Sequence, residues 1–231
     1  MLNLIAIDGP SGVGKSTTAK RLAAALNWDY MDTGAMYRAV TLALQRADIS
    51  LDNPSALELL LASINYEQRG TSYFMNGQDV SEAIRSPEIT KKVSAVSTHP
   101  RVRQALVDIQ RGLGQRGNWI IDGRDIGTVV FPQAICKIFL SASPEVRAQR
   151  RFSELQSKGL TTTFEEVLAD QARRDHLDST RKISPLSRAA DAIDVDSSNL
   201  SMEEVVERII QTYKMATHLA DHYQDKPIQK V

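Results

Sequence analysis

The sequence predicts an α/β fold with a central parallel sheet and helices on both faces. Three observations predict it. Short apolar stretches of strand length alternate with stretches whose apolar residues fall at helical spacing. A glycine-rich segment, Gly9 to Ser16, separates the first strand from the first helix. Tight hairpin joining is confined to the alternating stretch Asn65 to Gln78, with Asn76-Gly77 as its turn, so the remaining strands are joined through helices.

Leu4 to Ile7 reads as a buried strand, and Ser16 to Leu26, rich in Ala, Lys, Arg and Leu, as a helix that Asn27 ends. Trp28 to Met31 is a second strand. Ala35 to Gln45 carries Met36, Val40 and Leu44 at spacings of four, an amphipathic helix, which puts Asp32 to Arg38 at a strand-to-helix junction. Asn53-Pro54 is an N-cap and first-turn pair for a short helix to about Ile64. After Pro100 a long helix extends to about Gln115, followed by the strand Trp119 to Ile121, the segment Asp122-Gly-Arg-Asp125 and the strand Ile135 to Leu140. Ser143-Pro144 starts the next helix, and Thr163 with Glu166 and Ser201 with Glu204 form capping boxes for two more. Ala192 to Val195 is the last strand, and the tail from about Ala216 to Val231 ends in a polar, Pro-containing segment expected to be mobile.

With 231 residues, 42% of them hydrophobic, the chain can bury one sizeable core and is expected to be a single domain, 1–231, with a small insert. Lys plus Arg and Asp plus Glu both total 28, which argues against a nucleic-acid coat or an acidic membrane partner and makes any basic site local. The lone Cys136 lies in the apolar run Ala134 to Leu140 and reads as a buried hydrophobe. No stretch approaches the roughly 20 apolar residues of a membrane span, so cytoplasmic residence is the default expectation.

Gly9-Pro10-Ser11-Gly12-Val13-Gly14-Lys15-Ser16, followed by Thr17, matches G-x-x-x-x-G-K-[ST] between a strand and a helix. Glycines let backbone N–H groups turn toward phosphate oxygens, the helix N-terminus adds positive potential, and Lys15 reaches the β and γ phosphates of ATP. The Ser16 hydroxyl suits Mg²⁺, with Asp32 or Asp122 acting through water; capping of the following helix is the alternative for Asp32, and a structural turn role for Asp122. This is the signature of the P-loop NTPase three-layer fold. The chain has neither the Asn-Lys-x-Asp nor the Asp-x-x-Gly expected of a regulatory GTPase, which favours a small-acceptor kinase over a nucleotide-dependent switch.

Phosphoryl transfer between two anions needs arginines near the carboxyl edge of the sheet. Arg38, Arg101, Arg103 and Arg124 are placed for it. A second group, Arg147, Arg150, Arg151, Arg173, Arg174, Asp178 and Arg181, lies on two helices joined by the polar loop Ser157 to Thr163, the pattern of a lid over the triphosphate, although solvated helix faces account equally well for about half of these arginines.

Ile7 to Ser16, Asp32-Thr-Gly-Ala-Met-Tyr-Arg38, Asp122-Gly-Arg-Asp-Ile-Gly-Thr-Val-Val-Phe-Pro132 and Arg173-Arg-Asp175 together resemble the bacterial cytidylate kinase family over roughly Leu4 to Tyr213. The resemblance implies transfer of the γ-phosphoryl group of ATP·Mg to CMP or dCMP, in pyrimidine metabolism. It implies a core of about 1–56, 99–150 and 185–223, a nucleoside-monophosphate-binding insert of about 57–98 and a helical lid of about 151–184. It further implies that Tyr37, Arg38 and Arg124 hold the acceptor phosphate region, with Thr33 also among the substrate-binding residues. Ser94, Arg103 and Asp125 would read the cytosine edge, and Arg174, Asp178 and Arg181 contact ribose and phosphates from the lid side. Lys15, Arg124 and Arg174 count as catalytic through charge stabilisation, with no general base, and a monomer is expected. A kinase for UMP or AMP is the nearest rival.

Overall fold

The computed structural model describes residues 2–224. Its elements are β1 (Leu2–Asp8), α1 (Lys15–Leu26), β2 (Asp29–Asp32), α2 (Thr33–Arg46), α3 (Pro54–Ser63), β3 (Tyr66–Arg69), β4 (Ser72–Met75), β5 (Gln78–Asp79), α4 (Pro87–Thr98), α5 (Pro100–Gly114), β6 (Trp119–Gly123), β7 (Ala134–Ser141), α6 (Pro144–Ser157), α7 (Phe164–Thr180), β8 (Ile193–Asp196) and α8 (Met202–Gln224). The main sheet has five strands in the order β2-β6-β1-β7-β8, every pairing parallel.

Leu4, Ile5, Ala6 and Ile7 of β1 are all fully buried, because the central strand is covered on both faces. Leu4 and Ala6 join Met36, Val40 and Leu106 of α2 and α5 in one cluster. Ile5 and Ile7 join Leu22 and Ile209 of α1 and α8 in the other. Each such aliphatic side chain contributes about 1.5–3 kcal/mol by leaving water. Helix ends follow local chemistry. The backbone N–H of Asn27, at φ 54°, closes on the Ala23 and Ala24 carbonyls to end α1. Asn53 accepts from the Ala56 N–H at 3.2 Å, and Thr163 and Glu166 complete a reciprocal capping box at the start of α7.

The antiparallel β3-β4-β5 sheet turns at Asn76 and Gly77, both left-handed at φ 52° and 77°, as a two-residue hairpin of matching twist requires. Its Tyr73 and Met75 pack with Ile84 and Ile89 onto Ala35, Ala39 and Leu42 of α2. Gln68 ties this sheet to the edge strand β2, its amide donating to the Tyr30 carbonyl (3.0 Å) and accepting from the Asp32 N–H (3.1 Å). The second half of the insert, for which the sequence reading named no element, is α4. Ser86-Pro87 starts it as Asn53-Pro54 starts α3, with Ser86 accepting from the Ile89 N–H at 3.3 Å.

Helix α8 continues to Gln224, because nothing between Ala216 and Gln224 breaks a helix; the Pro-containing end of the tail, expected to be mobile, begins after it. Residues 225–231 lie outside the described residues. Among the described residues no helix is long and apolar enough to cross a membrane.

Candidate active site

Gly9 follows β1 directly, and a Cβ there would lie 2.1 Å from the Leu140 carbonyl oxygen, so only glycine lets the loop run this close to β7. Gly12 and Gly14 are left-handed at φ 73° and 97°, which turns the chain into α1. No side chain caps the start of α1, leaving its first N–H groups to a ligand. Lys15 is buried and its Nζ donates to the Gly9 and Pro10 carbonyls at 2.8 and 2.7 Å. Burial, together with the charge of Arg124, draws its pKa well below the usual lysine value, opposed by Asp122 and Asp8. Ser11, Val13 and Lys15 point into protein, whereas Thr17 is exposed in the first turn of α1.

Ser16 Oγ donates to Asp122 Oδ2 at 2.9 Å, and the Tyr30 hydroxyl donates to Asp122 Oδ1 at 2.8 Å. Burial and the nearby Asp32 charge push Asp122 up to about 7. Asp32 has both oxygens engaged: Oδ1 caps α2 through the Ala35 N–H at 2.9 Å and Oδ2 accepts the Tyr73 hydroxyl at 3.0 Å. The carboxylate beside Ser16 is therefore Asp122. Among the described residues no group of three or more His, Cys, Asp or Glu could hold a metal ion. A hydroxyl and a carboxylate suit Mg²⁺, which takes one or two protein oxygens and draws the rest from water and phosphate. Thr33, expected among the acceptor-binding residues, is buried and its hydroxyl donates to the Asp122 carbonyl at 2.7 Å, joining the ends of β2 and β6.

Arg38 from α2, Arg124 after β6 and Arg174 from α7 converge. Burial and then Arg174 lower Arg38 to about 10, and burial and then Arg124 lower Arg174. Arg38 is held by Thr90 Oγ1 at 3.0 Å and Arg124 by Asp178 Oδ2 at 2.7 Å. With Lys15, four cations from four segments meet. Such a concentration of positive charge calls for phosphates.

A second cluster centres on Asp125. Its Oδ2 is ion-paired with Arg103 Nη2, and Arg181 Nη2 approaches Oδ1 at 3.7 Å without making a hydrogen bond of its own. Tyr37 joins this group: its hydroxyl accepts from Arg103 at 3.3 Å, and burial pushes its pKa up to about 12. Ser94 lines a cleft of about 650 Å³ between α4 and α7, together with Arg173, Asp178 and Arg181.

The lid-side arginines divide. Arg151 and Arg173 make exposed pairs with Glu154 and Asp170, as solvated faces do. Arg147 instead donates to the Ser11 carbonyl at 2.9 Å and pairs with Asp175, whose Oδ1 accepts the Ser11 N–H at 2.8 Å, so α6 and α7 grip the phosphate loop itself. Arg150 donates to the Ser197 carbonyl at 2.7 Å. Sequence reasoning gave no role to Asp8, which accepts the Ile126 and Gly127 N–H groups at 2.8 and 2.7 Å. The available signal was a carboxylate ending an otherwise apolar strand.

A family model described as cytidylate kinase matches residues 5–215. The cytidylate kinase of Enterococcus faecalis is 51% identical over 214 residues, covering 91% of this chain and 95% of that one. That of Caldanaerobacter subterraneus subsp. tengcongensis is 49% identical over 220 residues, covering 94% and 98%. A solved gluconokinase from Sinorhizobium meliloti shares the fold at a TM-score of 0.50 and 15% identity, over 97% of this chain and 98% of its own. With the motif match extending across both the phosphate loop and the Asp122 to Pro132 segment, the chain belongs to the cytidylate kinase family.

Proposed function

We propose that the site transfers the γ-phosphoryl group of ATP·Mg to CMP or dCMP, giving ADP and CDP or dCDP. The observation that carries this reading is the meeting of Lys15, Arg38, Arg124 and Arg174 beside the phosphate loop, a charge arrangement matched to two phosphate groups exchanging a third. The loop backbone from Gly9 to Thr17 cradles the triphosphate. Lys15 leaves the carbonyls of Gly9 and Pro10, which only substitute for phosphate oxygens, and follows the γ-phosphoryl group.

Ser16 and, through water, Asp122 would hold Mg²⁺, which when bound supplies charge neutralisation on the β and γ oxygens. The acceptor phosphate is itself an anionic nucleophile, so positioning and charge stabilisation replace a general base. Arg38 and Arg124 hold that phosphate while Arg174 comes from the lid side. Asp125 with Arg103 and Ser94 complements cytosine, whose edge offers an N4 donor beside N3 and O2 acceptors, and Asp178 and Arg181 contact ribose and phosphates from the lid side. The α6–α7 pair acts as a lid that excludes water as it closes. A cytoplasmic monomer acting on free nucleotides fits the equal numbers of acidic and basic residues.

The test is ADP formation from ATP and Mg²⁺ with CMP, dCMP, UMP, AMP and GMP in parallel. Turnover with CMP and dCMP well above the others is expected. Preference for another base would keep the kinase and overturn the acceptor, and silence with all five would overturn the reaction.

A further inference from the structure

Asp8 is the last residue of β1, immediately before the phosphate loop, and is only 5% exposed. Its carboxylate reaches across to another segment, accepting the Ile126 N–H on Oδ1 at 2.8 Å and the Gly127 N–H on Oδ2 at 2.7 Å. These two residues open a wide turn, Ile126–Val130, in which Val129 and Val130 donate to the Asp125 carbonyl and Phe131 donates to that of Ile126. The first N–H groups of such a turn have no partner within it, as at the start of a helix. Asp8 supplies both, acting as a cap from a different strand.

The choice of side chain is informative. Asn or Ser would offer a single acceptor in this geometry, whereas a carboxylate offers one oxygen to each N–H. The carboxylate is kept although it is buried and has the like charge of Asp125 nearby, which together push it up to about 6. The fit is close: a Cβ on Gly127 would lie 3.4 Å from Asp8 Oδ2 and 3.2 Å from Lys137 Cδ. The residues just before the capped N–H groups are Arg124 and Asp125, one beside Lys15 and paired with Asp178 and the other facing Arg103 and Arg181.

We propose that Asp8 is a positioning residue that couples the two substrate sites, holding Arg124 and Asp125 in register with the phosphate loop through the N–H groups that follow them. The proposal rests on the reading of Asp125 as a base-contacting residue. Loss of one of the two bonds lets the turn shift by a fraction of an ångström, enough to misalign a carboxylate that must meet a ring edge.

The experiment is Asp8→Asn, which keeps the volume but aims an NH₂ group at a backbone N–H. The KM for CMP is expected to rise about tenfold and the preference for CMP over UMP to fall by about the same factor, with the KM for ATP within about twofold of wild type. A purely structural role would instead lower the melting temperature and leave this split absent; equal changes in both KM values with unaltered base preference overturn the proposal. Should Asp8→Asn fail to fold, Gly127→Ala leaves the carboxylate in place and pushes the turn. The same split, about threefold, is then expected, and its absence is equally decisive. Asp125→Ala is measured alongside. If it keeps its CMP preference, the base reading fails and the coupling falls with it; if it loses that preference while Asp8→Asn keeps it, the coupling alone falls.

Discussion

The phosphate loop and the proposed acceptor pocket lie side by side at the carboxyl edge of one sheet, yet they are built in opposite ways. The cradle is one continuous segment, Gly9 to Thr17, and works with backbone N–H groups whose directions are set by glycines and by the close approach of Gly9 to Leu140. The acceptor pocket is assembled from α2, α4, α5, the segment after β6, α7 and the stretch beyond it. It works with side-chain charges paired against one another, Arg103 and Arg181 with Asp125 and Arg124 with Asp178. Backbone recognition of phosphate is indifferent to the nucleoside, so selectivity has to reside where side chains meet the base. Damage to the cradle should therefore be read in turnover, and damage to the pocket in choice of substrate.

The largest effect expected is that of Lys15→Ala. It removes the buried cation of the cradle, and kcat/KM should fall by at least about a thousandfold. The fold should persist, because Lys15 is a desolvated ammonium whose two hydrogen bonds run only to loop carbonyls. An unchanged circular-dichroism spectrum with near-normal turnover would remove Lys15 from the mechanism. Arg124→Ala should follow, at about a hundredfold or more in kcat, with base preference retained. If Arg124→Ala altered the preference for CMP over UMP more than kcat, the division between phosphate end and base end would be drawn in the wrong place.

The same contrast explains what the sequence revealed. The cradle was legible because its chemistry is local: a fixed spacing of glycines, lysine and serine between an apolar strand and a helix. The parallel sheet was legible for the related reason that burial on both faces forces continuous apolar runs such as Leu4 to Ile7. The long-range partnerships around both cradle and pocket were not legible. Asp8 and Gly127 are separated by 119 positions and Ser11 and Asp175 by 164, and nothing in either local segment names its partner. Asp32 illustrates the limit from the other side. Its position after a strand suited both a cap and a metal ligand, and its two oxygens are occupied by Ala35 and by Tyr73 from the insert, whose arrival no local pattern announces. The resemblance to a known family supplied residue roles that spacing alone does not, and the contact of the Tyr37 hydroxyl with Arg103 is one that no local pattern announces.

Within the pocket, Asp125→Ala and Arg103→Ala should each weaken discrimination between CMP and UMP by about tenfold or more while leaving the KM for ATP little changed. Both side chains are at least nine-tenths buried, so removing either partner strands a charge and should cost about 3–5 kcal/mol of stability. An Arg103→Met and Asp125→Leu double variant should recover much of that stability without recovering selectivity, as followed by urea unfolding and by competition between CMP and UMP. Recovery of selectivity in the apolar double variant would show that cytosine is read elsewhere.

The smallest effect concerns the border between the two sites. Asp8 is raised from 3.8 to about 6, chiefly by burial. A carboxylic acid with a folded-state pKa above its unfolded value binds its proton more tightly in the native protein. Its contribution to stability is therefore full below the unfolded pKa and is lost as pH rises through the window from 3.8 to about 6. Many exposed carboxylates shift the other way, Glu88 and Glu204 among them, so the whole protein need not follow Asp8. The difference between wild type and Asp8→Asn isolates it. The neutral variant carries no such loss, so its melting temperature relative to wild type should climb across that window, by on the order of 5 °C, and then level off. A flat difference would mean that the two N–H bonds offset burial and leave Asp8 charged at low pH, and the turn at Ile126 would then be held by an ordinary carboxylate.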